Sequence, residues 1–155
     1  MHLHPLDSIV DQREAKQIFH NSRGLRQGCP LSPFLYILMA ETLGIQLENQ
    51  RVKRKIAGIR IARGVKEINH SLFADNTLLI GGASSIIARQ FEKVLDDFLD
   101  VSGGLLNNKK CRIYTCNVPI NIMQRISQIM DILIQLNWSH FTYLGLPLAK
   151  EVVKS

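Results

Sequence analysis

The chain has few of the residues that mark secreted, zinc-binding or membrane-spanning proteins. Its 155 residues include only Cys29, Cys111 and Cys116, without CxxC spacing. This sparse, odd set supports neither a disulfide framework nor a zinc ribbon, and it predicts reduced thiols in the core. No stretch approaches the ~18 consecutive apolar residues of a bilayer span, and the N-terminus lacks the basic and apolar regions of a secretory signal. We therefore expect an intracellular protein with no membrane partner.

Aromatic residues and glycine-rich nucleotide motifs are also scarce. Aromatics make up 6% of the chain, which leaves few platforms for stacking nucleic-acid bases. No Walker or dinucleotide-binding glycine pattern occurs. Hydrophobic residues (46%) and charged residues (21%) are instead close to the usage of soluble globular proteins. Length and composition predict one folded domain over residues 1–155.

Acidic residues are absent from a strongly basic segment, residues 51–66. Of the 19 Lys and Arg residues in the chain, seven lie in this segment. The rest of the chain contains the other 12, together with all 13 Asp and Glu residues. The segment therefore carries the whole excess behind the net charge of +6. Such a cluster predicts contact with nucleic-acid phosphates, and a solvated loop after a helix is the alternative. Its cations are Arg51, Lys53, Arg54, Lys55, Arg60, Arg63 and Lys66.

Hydrophobic spacing predicts three helices. The first begins at Ser32 and ends near Gln50, the second begins at Ser84 or Ser85 and ends at Gly103-Gly104, and the third follows Asn117 and Pro119. Capping residues and prolines at the starts, and the glycine pair at the end of the second helix, support these bounds. The predicted apolar face of the first helix consists of Phe34, Leu35, Leu38, Thr42 and Ile45.

Short β-branched and apolar runs predict strands between these helices. Four runs with turn dipeptides between them predict a meander, a further run after the second helix predicts another strand, and the C-terminal segment predicts a short hairpin or an extended segment. Helices and strands in this order predict an α+β fold in which the helices cover one face of an antiparallel sheet. The runs are residues 59–62, 65–68, 71–73, 77–80, 112–115 and 141–148.

Two segments carry candidate chemistry. Residues 23–33 place two cations and two glycines directly before a helix, an arrangement that suits a phosphate or nucleotide and is equally explained by a glycine turn. Residues 73–76, Phe-Ala-Asp-Asn, place a carboxylate at a tight turn between two strands. The backbone preference of Asp and Asn for turns is sufficient to explain that second pattern.

Four sequence blocks together resemble the reverse transcriptases of non-LTR (LINE-type) retrotransposons, particularly those of plants. The blocks are GLRQGCPLSPFLYILMAETL, HSLFADNTLLI, SGGLLNNKKC and FTYLGLPL, in the family's order, over about residues 22–148. The flanks, residues 1–21 and 149–155, carry none of them. The resemblance implies the C-terminal part of a polymerase palm, an RNA-directed DNA polymerase activity, Mg²⁺ as cofactor and an RNA or DNA template-primer as partner.

The resemblance also implies roles for individual residues. Asp75 matches the first aspartate of the catalytic FADD sequence and would be a metal ligand, whereas Asn76 replaces the second aspartate. Lys110 matches a lysine near the departing pyrophosphate. The nucleotide- and template-binding loop would contain Arg26, Gln27 and Gly28, and the primer-gripping turn would contain Tyr143, Leu144 and Gly145.

The same comparison predicts that the chain lacks polymerase activity of its own. Phosphoryl transfer in polymerases uses two metal ions ~3.5–4 Å apart that carboxylates hold. Asn76 offers a neutral carbonyl, and the only candidates for the family's first aspartate are Asp7 and Asp11, whose surroundings do not match. Two alternatives stay open: a non-catalytic basic module that binds RNA or DNA, and a transposon-derived reading frame without a useful product.

Overall fold

The computed structural model describes residues 6–8, 18–20, 28–74, 76–138 and 141–147. The chain divides into two compact units, Met1–Tyr36 and Ile37–Ser155. The first unit contains an antiparallel pair of short strands, β1 (Leu6–Ser8) and β2 (Ile18–His20), which the sequence did not predict. Helix α1 (Ser32–Val52) begins in the first unit and ends in the second.

The three predicted helices are confirmed, because α1 is followed by α2 (Ser85–Ser102) and α3 (Ile120–Met130). The side chain of Ser84 accepts a hydrogen bond from the backbone N–H three residues later, which satisfies one free donor at the start of α2. Gly103 ends α2 with a left-handed φ of 67°. This conformation favours glycine, and it explains why the predicted end of the helix is correct.

Two predicted hairpins are also confirmed. Strand β3 (His70–Phe73) pairs antiparallel with β4 (Asn76–Leu79), and β5 (Thr142–Tyr143) pairs antiparallel with β6 (Leu146–Pro147). In the part of the chain that the structure describes, each pair forms its own two-stranded sheet, so the expected single sheet is not formed. The α+β class is confirmed.

The remaining strand predictions are wrong. Residues 59–62 and 65–68 share one antiparallel bridge, and residues 112–115 contribute one parallel bridge to Ile134. A two-stranded ladder needs an apolar face that it can bury, and most large apolar side chains of the first two runs face solvent. β-branched composition therefore does not suffice for strand formation here. The exposed side chains are Ile59, Ile61 and Val65.

The core lies between the second half of α1, the helix α2 and the β3–β4 hairpin. Phe91, Val94 and Leu95 of α2 are buried. Side chains from β3 and β4 pack against this cluster, namely Leu72 and Leu79. Burial of apolar area of this kind is the main favourable term in folding. The buried members of the cluster are Leu43, Leu47, Ile56, Phe91, Val94 and Leu95.

The predicted buried face of α1 is wrong. The helix buries Leu43 and Leu47 instead. Apolar residues occur around most of its circumference, so their spacing does not single out the face that packs. The predicted positions Phe34, Leu35, Leu38, Thr42 and Ile45 are exposed.

A buried asparagine connects β3 to α1. Asn69 is 1% exposed, and its Nδ2 donates to the Leu47 carbonyl oxygen at 2.9 Å. Its Oδ1 lies 2.7 Å from Nδ1 of His70. Burial lowers the pKa of His70, so the ring is neutral near pH 7 and its Nδ1–H can donate to this oxygen. The polar atoms of Asn69 are thereby satisfied where β3 begins.

The lack of long apolar runs led to a prediction about membrane spans, and the low number of cysteines led to a prediction about thiols. No helix among the described residues combines the length and the apolar character needed to cross a bilayer. All three cysteines are free thiols, as predicted, but the predicted core position is wrong, because Cys29 and Cys111 are half-buried and Cys116 is exposed. Burial raises the pKa of the Cys111 thiol, which keeps it protonated.

Candidate nucleic-acid interface

The β3–β4 turn contains residues 73–76, whose sequence Phe-Ala-Asp-Asn resembles the catalytic FADD sequence of the family. Phe73 and Asn76 are paired across the hairpin, which leaves a two-residue turn between them. Ala74 in this turn has a left-handed φ of 48°, and Asn76 opens β4 as an exposed residue. The predicted metal ligand Asp75 lies outside the described residues. The position of its neighbours confirms a tight turn between two strands at this sequence.

The donor set of this turn does not fit a pair of magnesium ions. Mg²⁺ takes oxygen ligands, and paired metal ions need several carboxylates to compensate their charge. Asn76 supplies an uncharged amide where the family has a carboxylate. Within the described ranges, no three His, Cys, Asp or Glu side chains lie close enough together to bind a metal ion. We therefore derive no catalytic step through a metal.

The other residues with implied catalytic or template roles are spread over separate elements. Arg26 and Gln27 lie outside the described residues. Gly28 has a left-handed φ of 81° in the turn that precedes α1, and no atom of the described residues lies within 4 Å of where its β-carbon would be. Lys110 is exposed in a turn after α2, where its N–H donates to the Asn107 carbonyl oxygen at 2.9 Å. Among the described residues, the Lys110 side chain makes no hydrogen bond or ion pair.

The structure brings together two of the four sequence blocks. Tyr143, Leu144 and Gly145 lie at the β5–β6 turn. The Tyr143 hydroxyl lies 3.2 Å from the Ser71 carbonyl oxygen and 3.0 Å from Ser71 Oγ, across 72 positions of sequence. The turn that matches the primer grip is therefore attached to β3, the strand that leads into residues 73–76.

We call residues 51–66 the basic loop, and a single carboxylate holds both of its ends. Glu48 accepts two hydrogen bonds from Arg51, at 2.8 and 2.7 Å, and its Oε1 lies 2.7 Å from Lys66 Nζ. Hydrogen bonds from Arg51, and then from Lys66, lower the pKa of Glu48 to about 2. Glu48 is therefore ionised at neutral pH and pairs with two of the seven cations.

The base of the basic loop is fixed by backbone contacts. Ile59 and Ile68 exchange two backbone hydrogen bonds, of 2.9 and 2.8 Å. The N–H of Gly58 donates to the side chain of Glu67. A β-carbon on Gly58 would lie only 2.0 Å from the Ile68 carbonyl oxygen, so no larger residue fits this close backbone approach.

The exit of α1 places three consecutive cations outside the helix. Arg54 has a left-handed φ of 55°, and its N–H bonds to the Arg51 carbonyl oxygen at 2.9 Å. The N–H of Lys55 bonds to the Gln50 carbonyl oxygen at 2.9 Å, which completes a Schellman motif. Glycine is the usual residue at the left-handed position, and a residue with a β-carbon costs about 1 kcal/mol there. The chain has arginine at this position.

The basic loop presents five cations that no acidic side chain in the described part of the chain compensates. Each is exposed, and none makes a side-chain hydrogen bond or ion pair with another residue that the structure describes. Uncompensated charges of one sign on neighbouring turns raise the local potential and attract polyanions. The predicted contact with nucleic-acid phosphates stays a prediction at these positions, whereas Arg51 and Lys66 are paired with Glu48. The five cations are Lys53, Arg54, Lys55, Arg60 and Arg63.

Sequence analysis missed two residues that organise these sites. Glu48 was detectable, because an acid three positions before Arg51 on a helix is a favourable ion pair. Ser71 was not detectable, since its contact with Tyr143 depends on how distant hairpins pack.

Comparison with known proteins places the chain in a family. A family model described as reverse transcriptase (RNA-dependent DNA polymerase) matches residues 3–148. The chain belongs to the reverse transcriptase family. A protein of Arabidopsis thaliana, described as an uncharacterized mitochondrial protein, is 48% identical to this reverse transcriptase chain over 56 residues. That segment is 36% of this chain and 46% of the relative, so the chain spans less than half of the relative's length.

Membership of the reverse transcriptase family confirms the resemblance to reverse transcriptases, whereas the non-LTR type that the four sequence blocks suggested stays a prediction. The α+β arrangement of three helices and short antiparallel hairpins is consistent with a palm-like domain. The family acts on nucleic acid, and its polymerases are generally metal-dependent. The individual roles of Arg26, Gln27, Gly28, Asp75 and Lys110 stay predictions.

Proposed function

We propose that this reverse transcriptase chain binds nucleic acid through the basic loop and does not polymerise DNA by itself. We further propose that it is of the non-LTR, LINE-like type that its four sequence blocks resemble. The observation that carries the binding proposal is the set of five exposed cations at the loop, without an ion-pair partner among the described residues. Arg51 and Lys66 are engaged by Glu48 and close the base of the loop.

The chemistry of the loop favours phosphates over bases. Lys and Arg side chains that neutralise phosphates release condensed counterions, which supplies affinity independent of sequence. The basic loop contains no Phe, Tyr or Trp on which a base could stack. Arg60 and Arg63 carry planar guanidinium groups that match a phosphate in a bidentate manner. The loop therefore suits the backbone of an RNA or of an RNA–DNA hybrid of any sequence.

The salt dependence of RNA affinity tests this proposal. Each phosphate contact of a single strand contributes about −0.7 to the slope of log K against log salt, where K is the association constant for RNA. Five contacts therefore give a slope of about −3.5. Between 50 and 200 mM salt, this slope weakens binding of a labelled single-stranded RNA about 100-fold. An affinity that does not change with salt would remove the electrostatic basis of the proposal.

The proposed lack of polymerase activity rests on the residues of the β3–β4 turn. With Asn76 in place of a second carboxylate, metal-assisted phosphoryl transfer loses charge compensation worth several kcal/mol, or about 10²- to 10⁴-fold in rate. We expect no primer extension above a buffer control on an RNA template with magnesium or manganese.

Restoring the second carboxylate should not restore synthesis. We expect Asn76→Asp to remain inactive in primer extension, because the sequence around Asp7 and Asp11 does not match the family's first catalytic aspartate. A salt titration with RNA serves as the control, since this variant leaves the basic loop unchanged. DNA synthesis by the wild-type chain or by Asn76→Asp would contradict the proposal.

A further inference from the structure

Glu48 is held by the kind of donors that bind a phosphate group. Arg51 donates from Nε to Glu48 Oε2 at 2.8 Å and from Nη2 to Oε1 at 2.7 Å, so its planar guanidinium holds both carboxylate oxygens. Lys66 Nζ lies 2.7 Å from the same Oε1. A bidentate arginine together with a lysine is also a donor set that recognises the oxygens of a phosphate. The two cations therefore form an anion site, and a carboxylate of the chain itself occupies it.

This anion site lies at the base of the basic loop and is open to solvent. Arg51 is the first residue of the loop, and Lys66 is the last. The side chain of Lys66 is 65% exposed and that of Glu48 is 32% exposed, so an anion from solution can reach the site. A nucleic acid bound to the five exposed cations of the loop would bring its phosphates close to this base. The site thus belongs to the same surface.

Glu48 has an advantage over an anion from solution. It lies three positions before Arg51 on α1, and side chains at this spacing are neighbours on the surface of a helix. Attachment to the chain gives its carboxylate a high effective concentration at the two cations, whereas a phosphate must lose freedom of motion to bind there. Hydrogen bonds from Arg51 and Lys66 lower the pKa of Glu48 to about 2. The carboxylate therefore stays ionised and competes with phosphate at neutral pH.

We propose that Arg51 and Lys66 form a phosphate-binding site that Glu48 occupies as an intramolecular competitor, so that the basic loop offers a nucleic acid five cations and not seven. The inference rests on the proposed function, and it identifies a residue that limits the affinity of that same surface. Differences in affinity between related complexes lie mostly in the rate of dissociation. Glu48 therefore shortens the time for which a nucleic acid stays bound.

Removal of the Glu48 charge should strengthen the binding of RNA. Glu48→Gln keeps the size of the side chain and frees two cations, and each further phosphate contact contributes about 0.7 log units at about 0.1 M salt. We expect a labelled single-stranded RNA to bind about 25-fold more tightly in fluorescence anisotropy titrations. The slope of log K against log salt should change from about −3.5 to about −4.9.

Two control variants assign this gain to the anion site. Glu41→Gln removes the same charge from an exposed position two turns earlier on α1. It should strengthen binding less than about threefold and leave the slope unchanged, because only the general field of the protein is altered. A triple variant, with glutamine at Glu48, Arg51 and Lys66, removes the site together with its occupant. Its slope should therefore return to about −3.5.

Circular dichroism melts establish that each variant retains the fold. Exposed ion pairs contribute little to stability, so Glu48→Gln should melt close to the wild-type temperature. Glu48→Asp serves as the test if Glu48→Gln does not fold. It keeps the charge on a side chain that is one methylene shorter and should release Lys66, which strengthens RNA binding about fivefold through one added phosphate contact.

An RNA affinity that Glu48→Gln leaves unchanged would overturn the inference, and Glu67, which attracts Arg51 electrostatically, would then be the carboxylate that pairs with it. A weaker affinity would overturn it too, since Glu48 would then serve only to hold the two ends of the loop. In both cases a steep salt dependence of the wild-type protein would leave the proposed function standing. Salt-independent binding by the wild type and by Glu48→Gln would overturn both.

Discussion

Replacement of Lys53, Arg60 and Arg63 by glutamine should weaken RNA binding about 100-fold at 0.1 M salt. Each phosphate contact contributes about 0.7 log units at this salt concentration, so three contacts correspond to about two log units. The slope of log K against log salt should become shallower by about 2. The three side chains are exposed and without partners among the described residues, so the melting temperature should change little. Anisotropy titrations of a labelled RNA at several salt concentrations measure both quantities.

A matched variant elsewhere on the chain controls for net charge. Arg89, Lys93 and Arg125 are exposed on α2 and α3, and their replacement by glutamine removes the same three charges. We expect this control to lose less than about threefold in RNA affinity, because only the general attraction of the protein is reduced. Equal losses in the two triple variants would mean that net charge, and not the basic loop, determines binding.

Gly58→Ala should be the most destabilising small substitution in the described part of the chain. The added β-carbon would lie 2.0 Å from the Ile68 carbonyl oxygen, 2.4 Å from its carbonyl carbon and 2.7 Å from the Asn69 nitrogen. These are backbone atoms, so relief of the clash requires separation of the bridge between Ile59 and Ile68. We expect a loss of about 3 kcal/mol or more in the free energy of unfolding, measured by denaturant titration.

Gly44→Ala is the control for that experiment, and its expected effect has the opposite sign. Gly44 lies within α1, and a β-carbon there would meet Leu72 Cδ1 at 3.5 Å and His70 Nε2 at 3.6 Å, which are ordinary contacts. Alanine in place of glycine within a helix stabilises by about 0.5–1 kcal/mol. A Gly58→Ala variant as stable as the wild type would contradict the close backbone approach at the base of the loop.

The parts of the fold that the sequence predicts correctly have local causes. Ser84 and Gly103 fix the ends of α2 through contacts within one turn, and the predicted bounds agree with the structure within a residue. The face of α1 and the strands around Ile59 depend on tertiary packing instead. Helix α1 is apolar on several sides, and among the described residues no surface buries the side chains of Ile59 and Ile61. Local patterns do not contain that information.

The candidate site also has features that the sequence predicts and features that only the structure shows. The seven cations of the basic loop were visible as a charge cluster, and the structure shows that two of them pair with Glu48. The altered position Asn76 was visible by resemblance to the family. The connection between Tyr143 and Ser71 was not predicted, since it joins hairpins that are 72 positions apart in sequence.

Chemical footprinting of lysines tests most directly the claim that nucleic acid binds at the basic loop. The protein is acetylated with and without a saturating single-stranded RNA, and modification is quantified by mass spectrometry. Lys53 and Lys55 should be protected by the RNA, whereas Lys93 on α2, which is also exposed, should react to the same extent in both samples. Protection of Lys93 with undiminished acetylation of Lys53 and Lys55 would contradict the assignment of the interface.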